Sequence, residues 1–289
     1  MYLIFHFKGN VVYIQGLNKS VTVKDASICR DKDLKIVGCE ESYIYIKSSV
    51  RSVSVTNCVN TTIFIGSVAK ICSVEKCENV NITLAASMLR IGNTIDSTFN
   101  YYGILNPVIY GDSRSIVTGP YNANIVELKD FLEEAGIPVS FKCIQSYDNP
   151  VILNATENIN VDHKIQKIED FSLIALPETF QPMLLGDSKS LDPLFFGFNP
   201  KTANEEREAL VAKIEGAVLP MLCPNVYRDN IKKRYLCMKE TQSEIKSLKL
   251  GDESEKLLHF LIQANFKEWL TNTGSHKPVL DMLKVLDKE

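Results

Sequence analysis

The residues of this 289-residue chain best suited to metal or redox chemistry are eight cysteines and four histidines. No two cysteines form a CxxC pair, and the histidines (His6, His163, His259 and His276) lie far apart in the sequence. A zinc site needs clustered Cys and His ligands, so this distribution argues against one. We therefore expect no metal and no cofactor, and we interpret the cysteines as reduced, structural residues of a cytosolic protein.

Carboxylates are the next side chains that could do chemistry, because paired carboxylates hydrolyse glycosidic bonds. Residues 34–103 carry only five carboxylates: Glu40, Glu41, Glu75, Glu78 and Asp96. The sequence also lacks GxSxG, Walker, GxGxxG and HExxH motifs. We read these carboxylates as a solvated rim, and a carbohydrate-active enzyme is kept only as a third alternative.

Charge and hydropathy limit the possible partners. The net charge is −3 and the pI about 5.9, which gives no general electrostatic reason to bind nucleic acid or an anionic membrane. The opening MYLIFHFKGN reaches a lysine after seven residues, too soon for a signal sequence or a membrane span. We expect a cytoplasmic protein without a membrane span, whose partners are proteins.

An internal repeat indicates the fold. Written in rows of 19, residues 34–103 align apolar residues in columns: Leu34, Val53, Cys72 and Ile91; Ile36, Val55 and Val74; Ile44, Ile63, Ile82 and Tyr101; Ile46, Ile65, Leu84 and Gly103. Within a row the apolar columns lie two residues apart, the side-chain period of a β-strand. Stacked rows bury a continuous core. We therefore predict a mainly β fold, a right-handed parallel β-helix with about 19 residues per coil.

Three cysteines share this period. Cys39, Cys58 and Cys77 fall under one another in a single column of these rows. In a stacked coil they would lie about 4.8 Å apart. We predict that they form an inward ladder in neighbouring coils.

The rest of the chain predicts helices. Residues 122–136 have apolar residues at helical spacing, and Gly136 with Pro138 ends this helix, which we expect to cap the open end of the β-helix. We expect an α-helical C-terminal region with helices at 202–219, 225–248, 252–271 and 277–287. The predicted regions are a β-helix domain with its capping helix at 1–137, a loop-rich arm at 138–200 and the helical region at 201–289. We expect the aromatic-rich residues 171–200 and the helices after them to dock onto the β-helix.

One arginine stands out on the predicted coil. Arg90 precedes the inward-facing Ile91, so strand alternation directs it outward. It could be an arginine finger for a bound nucleotidase or an ordinary surface arginine. With a period of 19, Ile71 would lie beside it. We therefore predict that Arg90, Met88 and Ile71 form a flank that contacts a protein partner.

The stretch CENVNITLAASMLRI, residues 77–91, resembles the segment that defines the tubulin-binding cofactor C domain family. In that family an alanine-containing run is followed by Gln-x-Arg, whose arginine activates GTP hydrolysis on a partner. Arg90 occupies the arginine position, but Met88 stands where the glutamine is expected. Residues 106–137 resemble the centrosomal branch of TBCC-domain-containing proteins, with its signature at Gly111, Asp112, Pro120, Tyr121 and Asn122.

This resemblance implies a cofactor C-like β-helix and a role at centrosomes, spindle poles or basal bodies, including Golgi positioning. It favours a non-enzymatic cytoskeletal adaptor whose partners are tubulin or centrosomal and basal-body proteins. The alternative is a GTPase-activating module for tubulin or an Arf-like GTPase, with Arg90 as its finger. The missing glutamine at Met88 favours the adaptor.

Overall fold

The computed structural model describes residues 7–8, 10–123, 125, 127–138, 146–153, 161–174, 176, 223–248 and 250–272. The chain forms two compact units, Met1–Asn230 and Ile231–Glu289. Among the described residues, no helix is both long enough and apolar enough to cross a membrane.

The first unit is a parallel β-solenoid of about six turns with about 19 residues per turn, which confirms the predicted fold class. Its strands are β1 Phe7–Lys8, β2 Val11–Gln15, β3 Val21–Asp25, β4 Asp33–Val37, β5 Tyr43–Val50, β6 Ser52–Thr56, β7 Thr62–Glu75, β8 Asn81–Gly92, β9 Thr98–Gly103, β10 Val108–Tyr110, β11 Ile116–Pro120, β12 Val151–Leu153 and β13 His163–Ile165. A short helix, α1, spans Ala26–Cys29 between β3 and β4.

Two runs of parallel strands form the sides of the solenoid. The run that we call the flank sheet is β2, β4, β6, the end of β7, the end of β8, β10 and β12. The opposite sheet is β3, β5, the start of β7, the start of β8, β9, β11 and β13. At the N-terminal end, β1 pairs with β2 in the antiparallel direction. Alternate side chains point inward, so the apolar columns form one continuous core.

The corners between the sheets use left-handed backbone. Gly38 and Asn57 have φ values of 62° and 54° at neighbouring coils, and Asn60 and Asn79, at the next corner position of their coils, both have φ of 49°. Asparagine tolerates this region better than most residues. The Asn79 side-chain amide also donates to the Asn60 Oδ1 at 2.7 Å, so the two corners stabilise each other.

The repeat shortens part-way along the stack. On the opposite sheet Ile63 pairs with Ile82, one full repeat later in the sequence. On the flank sheet Cys72 pairs with Leu89, which lies two positions short of a full repeat. Two register shifts between Ile65 and Ile71 take up the difference.

Three predicted columns are therefore wrong in their last members. Gly103 pairs with Ala86 and not with Leu84. Ile91 pairs with Val74 and not with Cys72, and Tyr101 pairs with Leu84 and not with Ile82. A slip of two residues keeps every side chain on the same face of its strand, so these residues still point inward. Ile91 is fully buried and Tyr101 is 1% exposed.

Helix α2, Leu128–Glu134, packs along the side of the solenoid. The prediction that it caps the open end is therefore wrong. The helix lies on the outer face of β5 and β7, where Phe131 joins a second apolar cluster with Tyr45 and Phe64. The outer face of these strands carries its own aromatic residues, which would otherwise be exposed to water. Gly66 permits the approach, because a Cβ atom there would lie 2.6 Å from the Phe131 ring.

The chain after α2 returns to the solenoid. Strands β12 and β13 add one more strand to each sheet, so the stack does not close near residue 121. Phe171 is fully buried and meets the Tyr227 ring edge-on at 5.0 Å between centroids. The other aromatic residues of the predicted docking segment, from Phe180 to Phe198, lie outside the described residues.

Two of the four predicted C-terminal helices are confirmed. Helix α3 spans Asn225–Ser247, and helix α4 spans Asp252–Asn272. On α4 the rings of Phe266 and Trp269 stack at 5.9 Å. The helices predicted at 202–219 and 277–287, and the predicted boundary at residue 200, lie outside the described residues.

Candidate partner-binding flank

Arg90 lies on the outer surface of the flank sheet. Its neighbours in β8, Leu89 and Ile91, are fully buried, whereas Arg90 is half-buried. The backbone of Arg90 pairs with Ser73 on β7 and with Val108 on β10. The alternation of the strand therefore presents the guanidinium on a rigid surface, in the outward direction that the sequence predicts.

An aromatic side chain supports this guanidinium. The Arg90 Cζ lies 5.1 Å from the centroid of the Tyr110 ring, and the Tyr110 hydroxyl donates a hydrogen bond to Glu75 Oε1. Gly92 makes room for the ring, because a Cβ atom there would lie 2.5 Å from it. Burial, together with the bond to Glu75, raises the pKa of Tyr110 above its usual value of 10.0. A cation–π contact at a partly exposed site contributes about 0.5–1 kcal/mol, so Tyr110 biases Arg90 toward one position.

Ile71 does not lie beside Arg90, because the coil is two residues shorter at this point. Ile71 pairs with Met88, and Ser73 takes the place opposite Arg90. Ile71 and Met88 are both half-buried on the outer surface. The three residues predicted as a flank thus share one surface, with the apolar pair two residues along the strand from Arg90.

A search of the sequence for motifs does not find the other charged residues on the flank sheet and at the corner beside it. Lys35 lies with its Nζ 5.6 Å from the centroid of the Tyr13 ring. Arg51 donates from its Nε to Asp33 Oδ1 at 2.8 Å, and Lys70 stands at the same position one coil later. Arg51 and Lys70 are one full repeat apart in the sequence, so aligned columns of charge would have found them.

The signature residues Gly111 and Asp112 form a corner of the solenoid. Gly111 has a φ of 65°, and the Asp112 backbone N–H donates to Asn93 Oδ1 at 3.2 Å. The Asp112 carboxylate pairs with Arg114 at 2.8 Å on the exposed surface. These contacts shape a turn, and they lie at a corner outside the flank sheet.

The signature residues Pro120, Tyr121 and Asn122 attach the later chain to the solenoid. Asn122 accepts from the Thr83 hydroxyl at 2.7 Å and donates from Nδ2 to the Ser172 carbonyl at 2.9 Å. Tyr121 is 1% exposed in the second apolar cluster, and burial raises the pKa of its hydroxyl. Pro120 ends β11 opposite Tyr101. These contacts suit a structural role.

The cysteine ladder lies in the core. Cys39, Cys58 and Cys77 occupy neighbouring coils and are at most 2% exposed. Each thiol faces the carbonyl oxygen two residues before it, at 3.3–3.8 Å. Thr94 and Ser113 continue the ladder and are also fully buried.

The core thiols differ in their pKa values, and a hydrogen bond with Cys58 lowers the pKa of Cys77, whereas Cys72 is poorly suited to reaction. Burial raises the pKa of the nearby Cys72 to about 12, and a thiol with such a pKa is almost entirely protonated at neutral pH. Within the described ranges, no three Cys, His, Asp or Glu residues are grouped so that they could hold a metal ion.

Comparison with known proteins agrees with this architecture. Residues 31–149 match the family model of tubulin binding cofactor C (TBCC). Residues 31–149 are thus similar to a TBCC domain. The matched range includes strands β4 to β11 of the solenoid, the Arg90 surface and α2, and it ends before β12 and β13.

Curated relatives extend the similarity beyond the domain. TBCC domain-containing protein 1 of Xenopus laevis is 24% identical over 263 residues, which cover 91% of this chain and 42% of the relative. The Homo sapiens protein of that name is also 24% identical, over 274 residues, 94% of this chain and 42% of its own length. The chain thus spans about two fifths of the length of these relatives.

Proposed function

We propose that this TBCC-domain protein is a non-enzymatic cytoskeletal adaptor at microtubule-organising structures such as the centrosome, spindle pole or basal body. In this role it would affect the positioning of organelles, including the Golgi. The match of residues 31–149 to the tubulin binding cofactor C model is the observation that carries the proposal. Its partners would be tubulin or other proteins of these structures.

The outer surface around Arg90 is the proposed contact site. Ile71 and Met88 form a half-buried apolar pair next to a supported guanidinium. Apolar side chains, methionine and arginine are all enriched where proteins bind each other. A solenoid side held by continuous strand pairing is also a rigid platform, which lowers the entropy lost on binding.

Localisation of the tagged full chain tests the proposal. We expect wild-type protein to concentrate at microtubule-organising centres and to co-purify with their components, and Met88→Asp to weaken both. Val23→Asp is a matched control, because Val23 is 38% exposed on β3 of the opposite sheet. A diffuse wild-type protein, or equal loss in both variants, would contradict the adaptor role.

A GTPase-activating module remains the second proposal, and one observation favours it. The Tyr110 ring and its bond to Glu75 hold Arg90 on the surface, so a device for positioning the guanidinium exists without the family's glutamine. An arginine finger accelerates hydrolysis by about 10³–10⁵-fold when it is held at the transferring phosphate.

Single-turnover GTP hydrolysis separates the two proposals. We expect no acceleration of hydrolysis by tubulin or by Arf-like GTPases with wild-type protein. A stimulation that Arg90→Ala abolishes and Arg114→Ala retains would establish the activator instead. Arg114 is a suitable control because its side chain is 64% exposed at a corner of the same solenoid.

A further inference from the structure

The flank sheet and the corner that leads into it together carry more positive than negative charge, although the whole chain has a net charge of −3. Its outer surface and that corner carry five cations over four successive coils: Lys32, Lys35, Arg51, Lys70 and Arg90. The carboxylates among the outward residues of the strands are Asp33 and Glu75, and a third, Asp31, lies at the corner, where its charge acts on Arg51.

Asp33 and Glu75, the carboxylates on the strands themselves, already have partners within the protein. Asp33 accepts from Arg51 Nε at 2.8 Å and from the Ser52 hydroxyl at 2.5 Å. The hydrogen bonds from Arg51 and then from Ser52 lower the pKa of Asp33 from its usual value near 3.8 to about 2. Glu75 accepts from the Tyr110 hydroxyl. None of these hydrogen bonds joins Asp33 or Glu75 to Lys35, Lys70 or Arg90.

Those three cations form no ion pair with a carboxylate. Across the described part of the chain, the ion pairs involve neither Lys35, Lys70 nor Arg90. Lys70 acts on the pKa of Asp33 only by Coulombic attraction. Lys35 and Lys70 are exposed, and Lys35 and Arg90 each rest against a tyrosine ring. Such an arrangement places positive charge outward without neutralising it.

The strand pairing fixes how far apart these cations stand. Lys35 and Arg90 occupy one outward column, since Lys35 pairs with Ser54, Ser54 with Ser73 and Ser73 with Arg90. Three strand spacings separate their backbones by about 14 Å. Lys70 lies on the same strand as Ser73, three residues away, or about 10 Å along it. The serine side chains of Ser54 and Ser73 therefore lie between Lys35 and Arg90.

We infer that the flank sheet binds an acidic protein segment, with Lys35 and Lys70 as determinants of specificity beside Arg90. The inference rests on the proposed protein-binding role of this surface and adds the chemistry of the partner. Carboxylates spaced along a peptide can meet the separate cations, while the serine hydroxyls are able to donate further hydrogen bonds.

A peptide fits this surface better than a nucleic acid or a lipid headgroup layer does. Asp33 and Glu75 lie among the cations and would repel a continuous row of phosphates. The apolar pair of Ile71 and Met88 offers contacts that a protein side chain can fill. The net charge of −3 also opposes general binding to polyanions.

Fluorescence anisotropy of the full chain with a labelled peptide containing a run of glutamates tests the inference. We expect binding that weakens with salt, because the Debye length is only about 10 Å at 0.1 M. The Lys35→Gln/Lys70→Gln variant should bind about two- to thirtyfold more weakly, since an exposed charge contributes about 0.2–1 kcal/mol. The control is Lys129→Gln/Lys164→Gln, which removes the same charge from two exposed lysines outside the flank sheet.

Several results would overturn the inference. These are the absence of peptide binding, an equal loss in the control variant, or tighter flank-dependent binding of single-stranded DNA or phosphatidylserine vesicles than of the peptide. An unchanged far-UV circular dichroism spectrum ensures that each variant is folded. If Met88→Asp disperses the protein in cells while the lysine variant binds the peptide normally, the adaptor role stands and the acidic partner does not.

Discussion

The cysteine ladder provides the sharpest test of the fold, through a charge placed at its centre. Cys58 is fully buried between Cys39 and Cys77, and its thiol faces the Thr56 carbonyl at 3.6 Å. In Cys58→Asp the carboxylate would have no cation within the core to pair with. We expect the folded protein to hold this carboxyl in its neutral form.

The cost follows from the shift in pKa. Burial can raise a carboxyl pKa by about 3–5 units, and holding the acid neutral at pH 7 against an unfolded value near 3.9 costs about 4 kcal/mol. Small domains have a total stability of about 5–15 kcal/mol, so this loss is large. The penalty is present above the unfolded pKa and disappears as the pH falls toward it. The destabilisation should therefore shrink between pH 7 and pH 4.

Cys58→Ser is the matched control. The same column contains Thr94, whose hydroxyl donates to the Gly92 carbonyl two residues before it at 2.9 Å. A serine at position 58 can make the equivalent bond to Thr56, so we expect a small loss that does not depend on pH.

Urea unfolding followed by circular dichroism measures both variants. Intrinsic fluorescence is unsuitable, because Trp269 is the chain's single tryptophan and belongs to the second unit. A Cys58→Asp protein with wild-type stability at pH 7, or with a loss that is equal at pH 4 and pH 7, would refute the buried ladder.

Two further substitutions test the packing and the surface. Gly66→Ala should lower the free energy of unfolding in urea by about 1–3 kcal/mol, because the added Cβ would press into the Phe131 ring. Gly251→Ala is the control and should have no such effect, because a Cβ there meets open space. Equal effects of the two variants would exclude the contact. Asp33→Asn should destabilise the protein at pH 7, since the hydrogen bond from Arg51 holds the pKa of Asp33 at about 2. The stability that the ionised Asp33 contributes is present above pH 3.8 and is lost as the pH falls through 2. Unfolding midpoints at pH 7, 4 and 2 check this, and a difference from wild type that persists unchanged at pH 2 would contradict it.

The sequence by itself determined the solenoid and the direction of its side chains. A coil buries its residues by contacts with the same position one turn away, so the repeat must appear in the sequence as aligned columns. Arg90 and Cys58 could be placed outward and inward for this reason. Asparagine also suits the left-handed corners at Asn57 and Asn60, since it tolerates that backbone.

The tertiary structure alone decided which residues are neighbours of Arg90. A coil of full length and a coil shortened by two positions place the same side chains inward, because a strand repeats every second residue. The alternation of apolar residues therefore cannot locate the shortening that moves Ile71 from Arg90 to Met88.

Contacts between distant segments were equally hidden. Tyr110 reaches both Arg90 and Glu75 only because the chain passes once more around the solenoid, and Gly92 leaves space for its ring. Helix α2 has an apolar face that suits either the end or the side of a β-helix. The aromatic residues on the outer face of β5 and β7 favour the side, because only there does the helix cover apolar surface that solvent would otherwise reach.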